Sequence, residues 1–168
     1  MAMKKMLLIG ILGVLILGTL QAQTTAVKIH PLHFFSCKFE VEHQINSNIS
    51  VGVIGSGMFL AFEGYRIQPY ARLYLGADSK VFDGFYAQGK FHYSRVVDNN
   101  AVRELIKDYG FSTAFGYQHT FGKHFVIDLY SGYRFSKPFY YSTSESSTMY
   151  RMMYSLPMEL GISLGTTF

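Results

Sequence analysis

The feature that most constrains this chain is its last stretch, residues 155–168, which reads Ser-Leu-Pro-Met-Glu-Leu-Gly-Ile-Ser-Leu-Gly-Thr-Thr-Phe. Leu156, Met158, Leu160, Ile162 and Leu164 hold every even position, followed by Thr166 and Phe168. Ser155, Pro157, Glu159, Gly161, Ser163, Gly165 and Thr167 hold the odd ones. A period of two puts the apolar side chains on one face of a strand and the small or polar ones on the other, a pattern no helix produces. Running out on an apolar residue is unusual for a soluble domain, whose ends fray in water. The stretch therefore reads as the closing strand of a membrane β-barrel.

The same alternation recurs along the chain. A short opening strand spans 24–32, where Val27 and Ile29 alternate with Ala26, Lys28 and His30. Longer runs follow over 35–42, 50–59, 66–75, 85–94, 111–121 and 125–135, and with the last stretch they make eight strands. Turn residues sit at 44–48, at 76–83 and at Gly122-Lys123. Residues 95–108 break the alternation. Asn100 is placed there to cap a short helix over 101–107, because Val102, Leu105 and Ile106 fall at helical spacing. A hydroxyl- and tyrosine-rich segment, 136–154, precedes the last strand. The length of 168 residues suits one domain rather than two.

Residues 1–22 stand apart from this pattern. Lys4 and Lys5 precede an apolar run over 6–20, followed by Gln-Ala-Gln-Thr-Thr. The run is shorter than the roughly 20 residues a spanning helix needs, and no basic cluster follows it. It predicts a secretory signal peptide cleaved after Ala22 or Gln23, which leaves 23–168 as the barrel domain. Without Lys4 and Lys5, 13 basic residues stand against 11 acidic ones, a net charge of +2. That balance gives no reason to expect nucleic acid as a partner. Cys37 is the only cysteine, so no internal disulfide is expected. Charged residues are only 15% and aromatics reach 17% without a tryptophan, less charge than the surface of a small soluble domain carries.

Alternation alone does not say which row faces inward; the composition of the rows does. The polar rows carry Lys38, Glu40, Glu42, Arg66, Arg72, Lys90, Asp128, Arg134 and Glu159, five positive and four negative. A nearly balanced set suits a narrow lumen, where desolvated charges must pair. The apolar rows begin or end in aromatics, with Phe121, Phe125 and Phe168 on one rim and Tyr93, Phe111, Tyr133 and Phe135 on the other, as an interfacial girdle does. Strands of about 10 residues are long enough to cross a bilayer when tilted. With both ends of the barrel on one side, the turns at 44–48, 76–83 and 121–124 face the periplasm. The longest connections, 95–109 and 136–154, then face outward.

The expectation is an all-β, eight-stranded, antiparallel up-and-down transmembrane barrel in the outer membrane of a Gram-negative bacterium. It is expected to be a monomer in contact with outer-membrane lipids, without cofactor, metal or nucleic acid. Eight strands leave an interior filled by side chains, so the charges read as a salt-bridged plug. The sharper alternative is a gated ion or proton path through Lys38, Glu40, Glu42 and Arg72.

The signal peptide, the Tyr-rich segments Pro69-Tyr70-Ala71-Arg72-Leu73-Tyr74 and Gly84-Phe85-Tyr86, and the closing Gly161-Ile162-Ser163-Leu164-Gly165-Thr166-Thr167-Phe168 resemble small outer-membrane barrels of the OmpA-transmembrane type. The nearest resemblance is to an uncharacterised family of eight-stranded barrels common in Bacteroidetes-type bacteria. It covers residues 24–168 and implies a fold and a location but no reaction, since that family has no agreed activity. Phe168 on an alternating last strand is similar to the signal by which the barrel-assembly machinery recognises its clients, which implies that machinery as a partner during biogenesis.

One constellation is enzyme-like. Residues two apart on a strand share a face, so His92 can take a proton from the Ser94 hydroxyl, with Glu104 as the candidate third member that orients the imidazole. Phe91-His92-Tyr93-Ser94 is similar to the His-x-Ser motif of outer-membrane lipid A 3-O-deacylases, which are also eight-stranded barrels. Two departures weigh against that esterase reading. The register points both side chains at the lumen, away from any lipid ester, and the pair lies mid-chain where that family carries it late. His30, His33, His43, His119 and His124 are dispersed without ligand spacing, so no metal is expected. Tyr140, Tyr141, Tyr150 and Tyr154, with six Ser or Thr among 142–148, offer an adaptable surface through which loops 95–109 and 136–154 can meet an extracellular ligand. The preferred reading is a structural or surface-interacting barrel, not an enzyme.

Overall fold

Eight alternating strands have unpaired edges unless the sheet closes, and here it closes. The computed structural model describes residues 24–31, 36–58, 62–75, 82–98, 104–122, 124–135, 139–140 and 157–168. Among them the strands are β1 (Thr25–Ile29), β2 (Ser36–Gln44), β3 (Ile49–Met58), β4 (Phe62–Leu75), β5 (Gly84–Asp98), β6 (Glu104–Phe121), β7 (Phe125–Arg134), the two-residue β8 (Phe139–Tyr140) and β9 (Met158–Thr167). No helix occurs among the described residues. Consecutive strands from β1 to β7 pair antiparallel, β9 pairs with β7, and β9 returns to β1, which makes a closed eight-stranded barrel. β8 stands outside that ring and pairs only with β6, Lys107 against Phe139 and Ile106 against Tyr140.

Local chemistry sets the turns. In the β2–β3 turn the Asn46 side-chain oxygen accepts the backbone N–H groups of Asn48 at 2.9 Å and Ile49 at 2.8 Å, an Asx turn that leaves His43 facing Val51. Gly122 has φ +62° in the turn that pairs Phe121 with Phe125, a conformation that costs glycine little. The β4–β5 ladder runs from Ile67↔Tyr93 to Tyr70↔Lys90 and skips Gln68 and Pro69, as a residue without an N–H requires. Carried round the ring, the registers return about ten residues out of step, the stagger that lets barrel strands tilt.

The opening strand expected over 24–32 spans five residues, Thr25–Ile29, and it completes the ring between β2 and β9. The helix expected over 101–107 is overturned where the structure describes it. Glu104 to Lys107 belong to β6, with Val97 against Leu105 and Val96 against Ile106, and residues 101–103 lie outside the described residues. Three apolar residues at helical spacing were a coincidence. The two β-branched residues on the opposite strand favour a ladder there. The connection read as 95–109 therefore shrinks to residues 99–103, and β4, β5 and β6 reach 14, 15 and 18 residues against 10 in β3, β7 and β9. One wall of the barrel stands taller than the rest. The turn expected at 76–83 is described only at Phe82 and Asp83, and the segment 136–154 only at β8, Phe139–Tyr140.

The two rows of every strand have opposite fates. Arg72, Glu40, Glu42 and Asp128 are at most 1% exposed, whereas Phe115 is 69% and Leu160 71% exposed. Val53, Ile67, Leu73, Leu129 and Phe39 lie on the same outward face, as does Cys37. Aromatic side chains gather at both ends of that face. At the short-turn end the rings of Phe85 and Tyr117 lie 4.8 Å apart, and those of Phe121 and Phe125 6.1 Å apart. At the other end Tyr65 meets Tyr93 at 6.3 Å and Tyr133 meets Phe135 at 5.0 Å.

Candidate functional site

The chemistry of this molecule is inside the barrel, in two tiers. The tier nearer the short turns is tied around two cations. The Arg72 guanidinium donates to Glu42 at 2.8 Å, to the Gln118 side-chain oxygen at 2.7 Å and to Asp128 at 2.9 Å, and lies 3.1 Å from Glu40. Lys28 Nζ reaches Glu42 at 2.5 Å, Glu40 at 2.8 Å, Gln118 at 2.9 Å and Asp128 at 3.4 Å. A planar guanidinium can serve several acceptors in fixed directions, and an ammonium at its side fills the remaining ones. The rings of Tyr86 and Tyr70 flank the guanidinium at 4.2 and 4.8 Å, so its faces meet π-systems rather than empty space.

Hydroxyl groups complete the tier. Tyr70 donates to Glu40 at 2.6 Å, Tyr74 to Glu42 at 2.8 Å, Tyr86 to Asp128 at 2.6 Å and Ser50 to Glu42 at 2.5 Å. His30 Nε2 lies 2.8 Å from the second oxygen of Glu40. Every oxygen of the three carboxylates thus has a partner, the condition under which buried ions are tolerable. Space for the phenols comes from glycine. Tyr70 pairs with Gly52, Tyr86 with Gly116 and Tyr130 with Gly161, and a Cβ on any of these glycines would stand on the opposing ring. Each tyrosine lies across the bare backbone of its neighbour strand, which brings its hydroxyl over the lumen axis.

The tier nearer the long connections is looser. Lys90 and Arg134 share Glu159, the first in the closest contact of the interior and the second at 3.2 Å. Lys38 donates to the Tyr130 hydroxyl at 3.1 Å, and Lys38 and Lys90 lie 5.8 and 5.1 Å from the Tyr130 ring. Arg66 and His92 approach Asp108 at 3.8 and 3.3 Å. Gln88, Ser94 and Ser112 are buried with side-chain polar atoms that meet no partner.

The nine charges expected in the lumen all face inward, divided between these tiers. Glu40, Glu42, Arg72 and Asp128 join the first, while Lys38, Arg66, Lys90, Arg134 and Glu159 join the second. Lys28 was missed, although it sits on the polar row of the opening strand, and so was Asp108, at the end of the stretch 95–108 whose alternation reads as broken. His92 and Ser94 point into the barrel and are buried, as their register implied. The described carboxylate that meets His92 is Asp108, at 3.3 Å. Glu104 pairs with Asp98, four residues further along β5 than Ser94. The Ser94 hydroxyl makes no hydrogen bond, so no relay from serine to histidine is assembled. Phe168 sits at the short-turn end, with its N–H donating to Thr25 at 2.9 Å.

On the outward surface a shallow furrow crosses Ala71, Ala87, Gly89 and Thr113 between Leu73 and Phe115. Its apolar lining offers a shape but no chemistry. Among the described residues no group of three His, Cys, Asp or Glu is placed to hold a metal ion. No family model, no curated protein and no solved structure matches the chain.

Proposed function

We propose that this chain is a monomeric transmembrane barrel of a Gram-negative outer membrane, with its interior closed by its own side chains. In this reading it serves as a structural or surface-interacting protein and is neither a pore nor an enzyme. One observation carries the reading: the polarity of the barrel is inverted. Phe115, Leu160, Phe85 and Phe39 are more than half exposed while Arg72, Lys28, Glu40 and Asp128 are buried. In water such an outer face would associate or aggregate, since exposed apolar patches of this extent are rare on soluble monomers. In a bilayer it is the low-energy arrangement for a closed sheet, whose backbone groups are already paired. Aromatic rings at both ends of the apolar face add support, because such rings favour the two interfaces.

The outward connections, including what the tall β4–β5–β6 wall carries, are the natural place for an extracellular ligand. The resemblance to small barrels of Bacteroidetes-type bacteria and the predicted signal peptide agree with export through the assembly machinery, with Phe168 as the recognition signal. The esterase reading loses support from the inward, unrelayed Ser94 and His92. Planar-bilayer recording of the refolded protein tests the closed interior: no conductance steps are expected, and reproducible steps would overturn the plug. Deleting residues 139–150 and measuring adhesion tests the surface role, with loss of adhesion expected and unchanged adhesion against it.

A further inference from the structure

We propose that the outward side of the tall β4–β5–β6 wall carries a binding site, built on Arg95 and Lys107, for a membrane lipid whose headgroup is a phosphate monoester. The proposal rests on the membrane reading above. Among the residues whose exposure is described, Arg95 and Lys107 are the only charged ones that stand exposed. The other described charges of the strands are buried or half-buried and face the lumen, and Asp83 lies half-buried in a turn. The two exposed cations are not scattered. The β5–β6 register sets Arg95 directly opposite Lys107 on one face, with Cβ atoms about 5 Å apart. Like charges so placed work against the pairing of their strands. Among the described residues neither side chain has a hydrogen bond or an ion pair. The acids of the wall do not offset them. Asp98 and Glu104 hold positions of the other row, opposite each other, and Glu63 is in register with Val97, one step beyond Arg95. Counted in full, Glu63 still leaves one positive charge over.

The surroundings of the pair indicate what offsets it. One step toward the middle of the barrel Tyr93 faces Tyr109, and the next step sets Phe91 opposite Phe111. Tyr65, the register partner of Arg95 on β4, holds its ring 6.3 Å from that of Tyr93. All of these rings are exposed. Rings at the acyl boundary with cations just beyond them is the order in which side chains meet the headgroup region of a bilayer. A phosphate monoester brings up to two negative charges and three oxygens. It can accept two parallel bonds from the guanidinium and a third from the ammonium. A diester headgroup brings one charge and a zwitterionic one no net charge, so neither balances the pair. The site faces the leaflet on the side of the long connections.

The test uses the full mature chain refolded in zwitterionic detergent micelles and, separately, in phosphatidylcholine vesicles. Phosphatidic acid, phosphatidylglycerol and phosphatidylcholine are offered in turn in the micelles, and the retained lipid is counted by native mass spectrometry. One phosphatidic acid per chain is expected, held about tenfold or more tighter than either other lipid. Combining Arg95→Gln with Lys107→Gln should abolish that preference. Lys107→Glu, which gives Arg95 an ion-pair partner, should do the same. Neither native side chain has a partner in the fold, so both variants should refold like the parent. Equal retention of the three lipids overturns the proposal, as does a preference that survives in the variants. Inorganic phosphate at the same concentration should not displace the lipid; full displacement would mean a site for free phosphate and overturn the lipid as ligand. Vesicle insertion separates this site from the membrane reading. A chain that enters phosphatidylcholine vesicles but shows no preference for phosphatidic acid loses the site alone, whereas a chain that stays out of the vesicles loses both.

Discussion

Arg72 and Arg134 are both inward-facing arginines of one barrel, and their surroundings differ in kind. Arg72 touches three carboxylates, an amide oxygen and two tyrosine rings, and it is 1% exposed. Arg134, at the end of β7, meets Glu159, which Lys90 already holds. The lower tier is therefore a network whose members depend on one another, drawn from every strand from β1 to β7, and it ties remote strands into one register. The described contacts of the upper tier are more local, centred on Glu159 and Asp108. Where every acceptor is filled, buried charge in a narrow barrel seals and fixes the structure.

The largest test of this contrast is loss of each arginine. Arg72→Met leaves three carboxylates facing Lys28 alone and is expected to destabilise the barrel by about 3–5 kcal/mol. Arg134→Met leaves Glu159 with Lys90 and is expected to cost less, about 1–3 kcal/mol. Urea unfolding in lipid vesicles, followed by the mobility difference between folded and heated protein, measures both. Equal losses would erase the distinction between the tiers.

Serine offers a smaller version of the same comparison. Ser50 donates to Glu42 at 2.5 Å, and Ser50→Ala should cost about 1.5–3 kcal/mol, the value of a hydrogen bond to a charged group. The Ser94 hydroxyl has no partner, so Ser94→Ala should leave stability within about 0.5 kcal/mol of the parent. A loss at Ser94 as large as that at Ser50 would mean that the upper tier is as tightly tied as the lower.

The smallest effect concerns the tyrosine rings that roof the lower tier. Gly116→Ala drives a methyl group into the Tyr86 ring and shifts the hydroxyl that holds Asp128, at an expected cost of about 1–3 kcal/mol. Gly55→Ala, where a Cβ meets nothing within 4 Å, is the control and should be close to neutral or mildly stabilising. If both behave alike, the tyrosine–glycine pairs carry no weight in the knot.

How far the sequence reaches follows from how local each feature is. Alternation is local, so Arg72, Glu40 and Asp128 could be assigned to the inward row from their neighbours alone. Partner choice is not local. Asp128 lies 56 residues from Arg72, and Tyr86 faces Gly116 only because of the β5–β6 register. Lys28 escaped notice because its strand is short and ends near Pro31, which weakened the period, although Val27 and Ile29 on either side carried the signal. Asp108 was lost for a different reason. Leu105 and Ile106 with Val102 mimic a helical face, and only the ladder to Val96 and Val97 reveals a strand. The glycines opposite Tyr70, Tyr86 and Tyr130 read as ordinary strand glycines until the register gave each of them a ring to receive.

The central claim is that the apolar outer face lies against lipid, and Val53 tests it directly. In a Cys37→Ser background, Val53→Cys carrying an environment-sensitive fluorophore is folded into liposomes. Lipids brominated along the acyl chain should quench the label strongly and aqueous iodide should not. Quenching by iodide with no response to brominated chains would contradict the account.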